Sequence, residues 1–393
     1  MSSSPVSNKI ASMGGTMMPV INFFENSKWS KQNTEPDICD FTLGNPHDTP
    51  LKDYVGALQN SLVPQNKDWY AYKQSVPEAQ EFIAQTVSAY LDHTFYAEDI
   101  CITNGAFAAL NVVIKTIVDA GDEIIFISPH WFAYEGLIIG AGGKAVNVTI
   151  DQETFDLDLN AIQQAISPRT RGVIINTPHN PTGKIYSRDV LTKLAKILTT
   201  ASQQNGRAIY LISDEAYHQI IFDGNEFVSP ATIYPNTFLI YTYGKVHLTP
   251  GQRIGYIALP PEMENRDQVR ASTNLMQIFS GWSYANAILQ YAIPDLVKLS
   301  IDIEQLQWRR DFLMSELAKL GYETNNPNGT FYLIVRSPIE DDWAFVEQLA
   351  NHKVFAFPGV TFGLPGYFRL SLTANDDMVR RSIAGFSKAM QNI

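Results

Sequence analysis

From about residue 100 to residue 260 the chain alternates short, unbroken apolar runs with stretches of helical periodicity, and this alternation limits the fold more than anything else. Ile124-Ile125-Phe126-Ile127, Gly172-Val173-Ile174-Ile175, Ile209-Tyr210-Leu211-Ile212 and Phe238-Leu239-Ile240-Tyr241 have no polar face. Such runs suit strands covered on both sides, as in the mainly parallel sheet of an α/β protein flanked by helices. Each run ends at a polar or Gly/Pro-rich stretch: Ser128-Pro129-His130, Asn176-Thr177-Pro178, Ser213-Asp214-Glu215 and Tyr243-Gly244-Lys245. Ligands of parallel sheets bind beyond the carboxyl ends of the strands, so these clusters are expected to meet in one site.

After about residue 290 the texture changes. A helical pattern over Leu299 to Leu320 is followed by strands at Phe331 to Val335 and Phe368 to Leu372, then an amphipathic helix from Asp376 to Met390. This reads as a smaller α+β unit. The expected division is a large domain over 49–290, with 1–48 and 291–393 forming an N-terminal arm and a small domain. Met1 to Val20, with its Ser, Gly and Met runs, reads as a flexible arm without a secretory apolar region.

The 393 residues carry a formal charge of −11, and nothing in the sequence suggests the basic face of a nucleic-acid binder. No window approaches a membrane span. Two cysteines, Cys39 and Cys101, give no disulfide framework and fit a reducing, cytoplasmic setting. Seven scattered histidines without a His-x-x-x-His pair give no expected metal site.

Lys245 precedes Arg253 by eight residues, in Pro250-Gly251-Gln252-Arg253-Ile254-Gly255-Tyr256. Burial beside a second cation lowers a lysine pKa and frees the amine to attack a carbonyl, as in holding an aldehyde cofactor as a Schiff base. Taken alone, a lysine near an arginine is ordinarily surface charge; the other strand ends change that reading. Asp214, past a buried run, is either a helix cap or a carboxylate paired with a ring nitrogen that accepts electrons. Tyr217, three residues on, is an interior tyrosine or a hydrogen-bond donor to a ring oxygen. Asn180 lies in Asn176-Thr177-Pro178-His179-Asn180-Pro181-Thr182-Gly183, the most specific string in the chain, and offers a second donor. Gly105, Ala106 and Phe107 open a helix whose free N–H groups suit a phosphate, with Thr242 and Arg253 available to the same anion. Trp131 reads as an aromatic stacked on a planar ring, Phe132 and Tyr134 as packing or pocket residues. Arg369, the lone charge in Tyr367-Phe368-Arg369-Leu370-Ser371-Leu372, faces water or takes a carboxylate in its fork.

Together these segments resemble the class I and II aminotransferases, the aspartate-aminotransferase-like branch of pyridoxal-phosphate (PLP) enzymes with the type I fold. The resemblance runs from about Phe41 to Met390 and includes Gly44-Asn45-Pro46, Gly329-Thr330-Phe331-Tyr332, Pro358-Gly359 and Phe362-Gly363. It implies Lys245 as the Schiff-base lysine, Asp214 at the pyridine nitrogen, and Tyr217 and Asn180 at the ring oxygen. By the same likeness Trp131 stacks on the ring, and Gly105, Ala106, Phe107, Thr242 and Arg253 hold the phosphate. Arg369, with Gly44 and Asn180 nearby, takes the substrate carboxylate. Tyr70, in Trp69-Tyr70-Ala71-Tyr72, resembles the tyrosine that reaches the phosphate of the partner subunit, which implies a homodimer with shared sites. Three positions depart from the family pattern: Ser75 for glycine, Gly244 for serine, and His179 within the Asn-Pro-Thr-Gly loop.

The implied reaction moves an amino group from an L-amino acid to a 2-oxo acid. A carbon–sulfur or aminocyclopropane-carboxylate-type lyase uses nearly the same residues and stays open. A PLP-binding sensor of a transcription regulator, which carries a basic DNA-binding domain before the aminotransferase-like part, is disfavoured because only about forty residues precede the resemblance and the charge is acidic, and Gly140-Ala141-Gly142-Gly143 does not fit a dinucleotide fingerprint. No second substrate-facing arginine stands out, which points away from dicarboxylates. Trp131, Phe132 and Trp282 point towards aromatic or large apolar substrates.

Overall fold

The computed structural model describes residues 5–391. Seven strands form the main sheet, in the order Ile100–Thr103, Gly255–Ala258, Thr237–Thr242, Tyr210–Asp214, Thr170–Asn176, Glu123–Ser128 and Lys144–Thr149. Six run in one direction and Gly255–Ala258 opposes its two neighbours. All four expected runs are strands here, buried along almost their whole length. Ile124, Phe126, Ile174, Ile212 and Ile240 meet Leu110, Val113 and Ile114 of the helix Gly105–Ile117 on one face. Ile125, Ile127, Val173, Ile175 and Leu211 meet Leu191, Leu194 and Leu198 of the helix Arg188–Asn205 on the other. Alternate residues of each strand enter opposite cores, which is why the runs carry no polar face.

A second, antiparallel sheet joins Phe357–Pro358, Tyr367–Ser371 and Tyr332–Arg336, packed by the helices Ile303–Lys319, Asp342–Ala350 and Asp376–Gln391. A parallel pairing of Cys39–Asp40 with Val354–Phe355 ties the N-terminal segment to it. Ala216, Tyr217, Ile220 and Phe222, just past Asp214, share one apolar cluster with Phe331, Leu333, Phe368 and Leu370. The two sheets therefore meet at the carboxyl end of the strand carrying Asp214.

The flexible arm expected at the N-terminus is corrected from Asn8 onward; residues 1–4 lie outside the described residues. Asn8–Asn26 is a helix with Ser7 accepting from the Ile10 N–H at its start. It packs on Ala133–Ala141, where the Lys9 amine donates to the Gly140 carbonyl at 3.2 Å. Phe23 sits among Phe24, Trp29, Trp343 and Phe357. Tertiary burial of Val20 and Phe23 outweighs the weak helix preference of a Ser/Gly-rich stretch. Among the described residues no helix is long and apolar enough to cross a membrane.

Candidate active site

The parallel strands bring five polar clusters to one edge of the sheet. Asn104 follows Thr103, Trp131 follows Ser128, Asn180 follows Asn176, Tyr217 follows Asp214 and Lys245 follows Thr242. The opposed strand begins at that edge instead, because Gly255 pairs with both Thr103 and Thr242. Arg253, two residues earlier, is thereby returned to the end of the sheet that holds Lys245. A cavity of about 110 Å³ opens there, lined by Ala106, Phe107, Trp131, Asn180, Asp214, Tyr217, Thr242, Lys245 and Arg253 among others.

Close backbone approach shapes one end of this cavity. Gly105 has φ +79°, and a Cβ there would lie 2.9 Å from an Arg253 guanidinium nitrogen and 3.5 Å from Thr242 Oγ1. A Cβ at Gly255 would lie 2.3 Å from the Tyr241 carbonyl oxygen and 3.0 Å from Gly105 Cα. Two glycines thus let a helix N-terminus, a hydroxyl and a guanidinium share one small concavity, a setting for a phosphate. Arg253 has no carboxylate partner among the described residues; its guanidinium donates to the Pro250 carbonyl at 2.7 Å. Phe107 stands edge-on to Trp131, centroids 4.8 Å apart.

Asp214 is buried, and burial pushes its carboxyl pKa up, against the pull of the Tyr134 hydroxyl, the Ala216 N–H and Lys245. The Tyr134 hydroxyl donates to Asp214 Oδ2 at 2.6 Å. The Asp214 carbonyl accepts from Asn176 Nδ2 at 2.7 Å, and Asn176 Oδ1 accepts from the Asn180 N–H at 2.6 Å. Asn180 Oδ1 in turn accepts from Arg369 at 3.1 Å. One chain of hydrogen bonds thus links Asp214 to Arg369 and leaves the Asn180 amide nitrogen free to donate.

Lys245 Nζ lies 5.5 Å from the ring centre of Tyr217 and 5.6 Å from that of Phe331, with no ion pair among the described residues. Arg369 is 7% exposed and donates to Asn180 and, at 3.2 Å, to the Thr42 carbonyl; its Nε is buried without a partner. It has no carboxylate partner among the described residues. Gly44 is forced by crowding, since a Cβ would come within 2.6 Å of Phe331 and 2.7 Å of the Tyr332 hydroxyl. Tyr70 does not line this chain's cavity; it is 63% exposed with its hydroxyl on the Leu62 carbonyl.

Tyr134, which the sequence marks only as a packing or pocket residue, anchors Asp214; a link across 80 residues leaves no local signal. The departures also have structural partners. Ser75 Oγ accepts from the Ile102 N–H at 2.9 Å, and a Cβ at Gly244 would press on Pro250 Cα at 3.2 Å. His179 bridges Thr182 Oγ1 at 2.8 Å and the Pro129 carbonyl at 3.0 Å. It thereby ties the loop of Asn180 to that of Trp131. Burial lowers its pKa to about 4, so the neutral ring donates from Nε2 and accepts at Nδ1. A depressed histidine stabilises the fold above its unfolded pKa, and that stability is lost as pH falls from about 6.5 towards 4. His179→Gln should therefore remove roughly 2 kcal/mol of the stability change between pH 7 and pH 5. Thermal unfolding at the two pH values reads this, and an unchanged pH dependence would contradict it.

A buried carboxylate, a lone amine and Arg253 thus stand at one end of the large sheet, and Arg369, from the middle of the small-sheet strand Tyr367–Ser371, is joined to them through Asn180. The chain belongs to the aminotransferase class I and II family, whose model matches residues 36–386, and it is an aminotransferase. It is 31% identical to the aspartate/prephenate aminotransferase of Thermus thermophilus over 90% of this chain and 91% of that one. To a probable aspartate aminotransferase of Methanocaldococcus jannaschii it is 29% identical, over 88% and 92%. Among solved structures, an aminotransferase from Eubacterium rectale superposes with TM-score 0.90 at 28% identity, covering 99% of both chains. The Thermus thermophilus aspartate aminotransferase with maleate gives TM-score 0.85 at 26% identity, covering 98% and 100%. Members of this family use pyridoxal phosphate.

Proposed function

We propose that this aminotransferase uses pyridoxal phosphate held by Lys245 and moves the amino group of an L-amino acid with a large neutral side chain to a 2-oxo acid. The observation that carries the reading is the pair of unneutralised arginines. Arg253 lies with a helix N-terminus and Thr242, and Arg369 is buried with no carboxylate beside it among the described residues and an Nε without a hydrogen-bond partner. A molecule with a phosphate and a substrate with a carboxylate supply the missing anions. When bound, the cofactor supplies an aldehyde that takes the amino group and a ring that holds electrons.

The chain's own residues do the rest. Lys245 takes the proton of the substrate's α-carbon and returns it. Asp214, held by Tyr134, keeps the ring nitrogen protonated. The Tyr217 hydroxyl and the Asn180 amide hold the ring oxygen, and Trp131 covers the ring. Gly105, Ala106, Phe107, Thr242 and Arg253 hold the phosphate. Arg369, beside Gly44 and Asn180, holds the substrate carboxylate.

Relatives are named for aspartate and prephenate. A second carboxylate needs a further cation, and the cations at this chain's site, Lys245, Arg253 and Arg369, each have a role. The wall of Phe107, Trp131 and Leu110 suits apolar side chains. A screen of amino donors should rank phenylalanine, tyrosine and leucine above aspartate in kcat/KM. Aspartate as the best donor would overturn this choice while leaving the transferase intact.

The active unit in this reading is a homodimer in the cytoplasm, with Tyr70 completing the partner's phosphate site. Tyr70, Tyr72, Phe279, Trp282 and Tyr284 are exposed aromatics, and Asn104 beside the phosphate concavity donates to the Tyr284 carbonyl at 3.5 Å. Exposed apolar surface of this kind marks an association face. Tyr70→Phe removes one hydroxyl hydrogen bond, worth about 0.5–1.5 kcal/mol, so cofactor retention should fall several-fold without unfolding. Mixing impaired Tyr70 and Lys245 variants should regenerate some intact sites; a fully active monomer in sedimentation would end the shared-site reading. The division into 49–290 and 1–48 with 291–393 belongs to the same proposal. Its support is the change of apolar cluster between Ile293, packed with the helices of the large sheet, and Ile301, packed with the small one.

A further inference from the structure

Arg369 raises a physical problem. A guanidinium 7% exposed ordinarily needs a carboxylate beside it, yet a protein carboxylate there would compete with any carboxylate substrate. Aromatic rings resolve this. Arg369 Cζ lies 3.9 Å from the centre of the Tyr332 ring, 5.0 Å from that of Phe357 and 5.8 Å from that of Phe362. The π faces stabilise the charge without occupying its donors. Tyr332 is the nearest of the three and pairs across the small sheet, residue Tyr332 opposite Ser371, two positions from Arg369.

Tyr332 is also fixed on its other sides. Its hydroxyl lies where Gly44 has no side chain, its ring stands edge-on to Tyr217 at 6.0 Å, and edge-on to Phe331 at 4.9 Å. We propose that Tyr332 is a positioning residue for substrate: its ring is the platform that stabilises the buried Arg369 guanidinium in place without a carboxylate of the protein, so that a substrate carboxylate can take that role. This rests on the reading of Arg369 as the carboxylate site. In support, burial pushes the Tyr332 phenol up, but Arg369, Lys245 and Tyr217 outweigh it and hold the phenol below its ordinary value. The ring and the cation are electrostatically joined.

The platform predicts dependence on the ring's electrons rather than on its hydroxyl. Phenylalanine and mono-, di- and trifluorophenylalanine are placed at position 332 of the cofactor-loaded protein. Binding of 3-phenylpropionate, a carboxylic acid without an amine, is measured by calorimetry. Tyr332→Phe should bind within about twofold of wild type, and affinity should fall stepwise with each fluorine, by on the order of tenfold across the series. Melting temperatures should stay level, because the ring's shape is nearly unchanged; a purely structural tyrosine would move neither reading. A flat fluorine series overturns the platform, as does a Tyr332→Phe protein that has already lost the affinity. Arg369→Gln separates the two ideas. If it loses binding while the fluorine series is flat, only the platform fails. If it binds the acid like wild type, the carboxylate is not read by Arg369, and both readings fall.

Discussion

Lys245→Ala folds, keeps its cavity and loses turnover. The side chain is half-buried and forms no ion pair among the described residues, so its removal breaks no structural contact of that kind. It leaves no amine to take and return the substrate proton. Positioned acid–base groups contribute roughly 10²–10⁴-fold, and the loss should be larger because the same amine holds the cofactor. Binding of pyridoxal phosphate should persist, weaker and non-covalent, through the Gly105 concavity, Thr242 and Arg253. Absorbance and single-turnover kinetics read both effects. Borohydride treatment of the loaded wild-type protein should fix the cofactor to the peptide carrying Lys245, and label on any other lysine would sink the assignment.

Asp214→Ala should lose most cofactor retention together with turnover. The carboxylate accepts from Tyr134 at 2.6 Å and from the Ala216 N–H at 3.3 Å, so its removal strands a buried phenol as well as the ring nitrogen. Leaving one member of a buried charged pair without its partner costs on the order of 3–5 kcal/mol, or roughly 10²–10⁴-fold in binding. Asp214→Asn preserves the shape and should hold more cofactor while still failing in catalysis, since a neutral amide does not keep the ring nitrogen protonated. Equilibrium dialysis and kcat separate the two variants. Near-normal turnover in Asp214→Asn would return Asp214 to the bland role of a turn cap.

How far these groups were legible follows from where their information lies. The central strands could be read because burial on both faces removes every polar residue from runs such as Ile124 to Ile127 and Phe238 to Tyr241. The edge strand Lys144–Thr149 could not, since it is largely exposed or half-buried. Gly255–Ala258 is only four residues long, too short to carry a period of its own. The residues at the strand ends were legible one by one, because a polar group after an apolar run is a local signal. Their connections were not. Tyr134 to Asp214 and Asn180 to Arg369 are set by sheet order and by the meeting of two sheets, and no spacing in the chain records either. The helix Asn8–Asn26 escapes a sequence reading for the same reason, because what orders it is the aromatic pocket around Phe23.

The most direct test of an amino-transferring site built around Lys245 is the stoichiometry of one half-reaction. Protein loaded with pyridoxal phosphate is mixed with a single amino acid in the absence of any 2-oxo acid, and 2-oxo product, ammonia and bound cofactor amine are counted per site. One 2-oxo acid and one cofactor amine per site, no ammonia, and recovery of the starting spectrum on adding a second 2-oxo acid is the predicted result. Continuous release of ammonia without an acceptor would contradict it and make the chain a lyase on this scaffold.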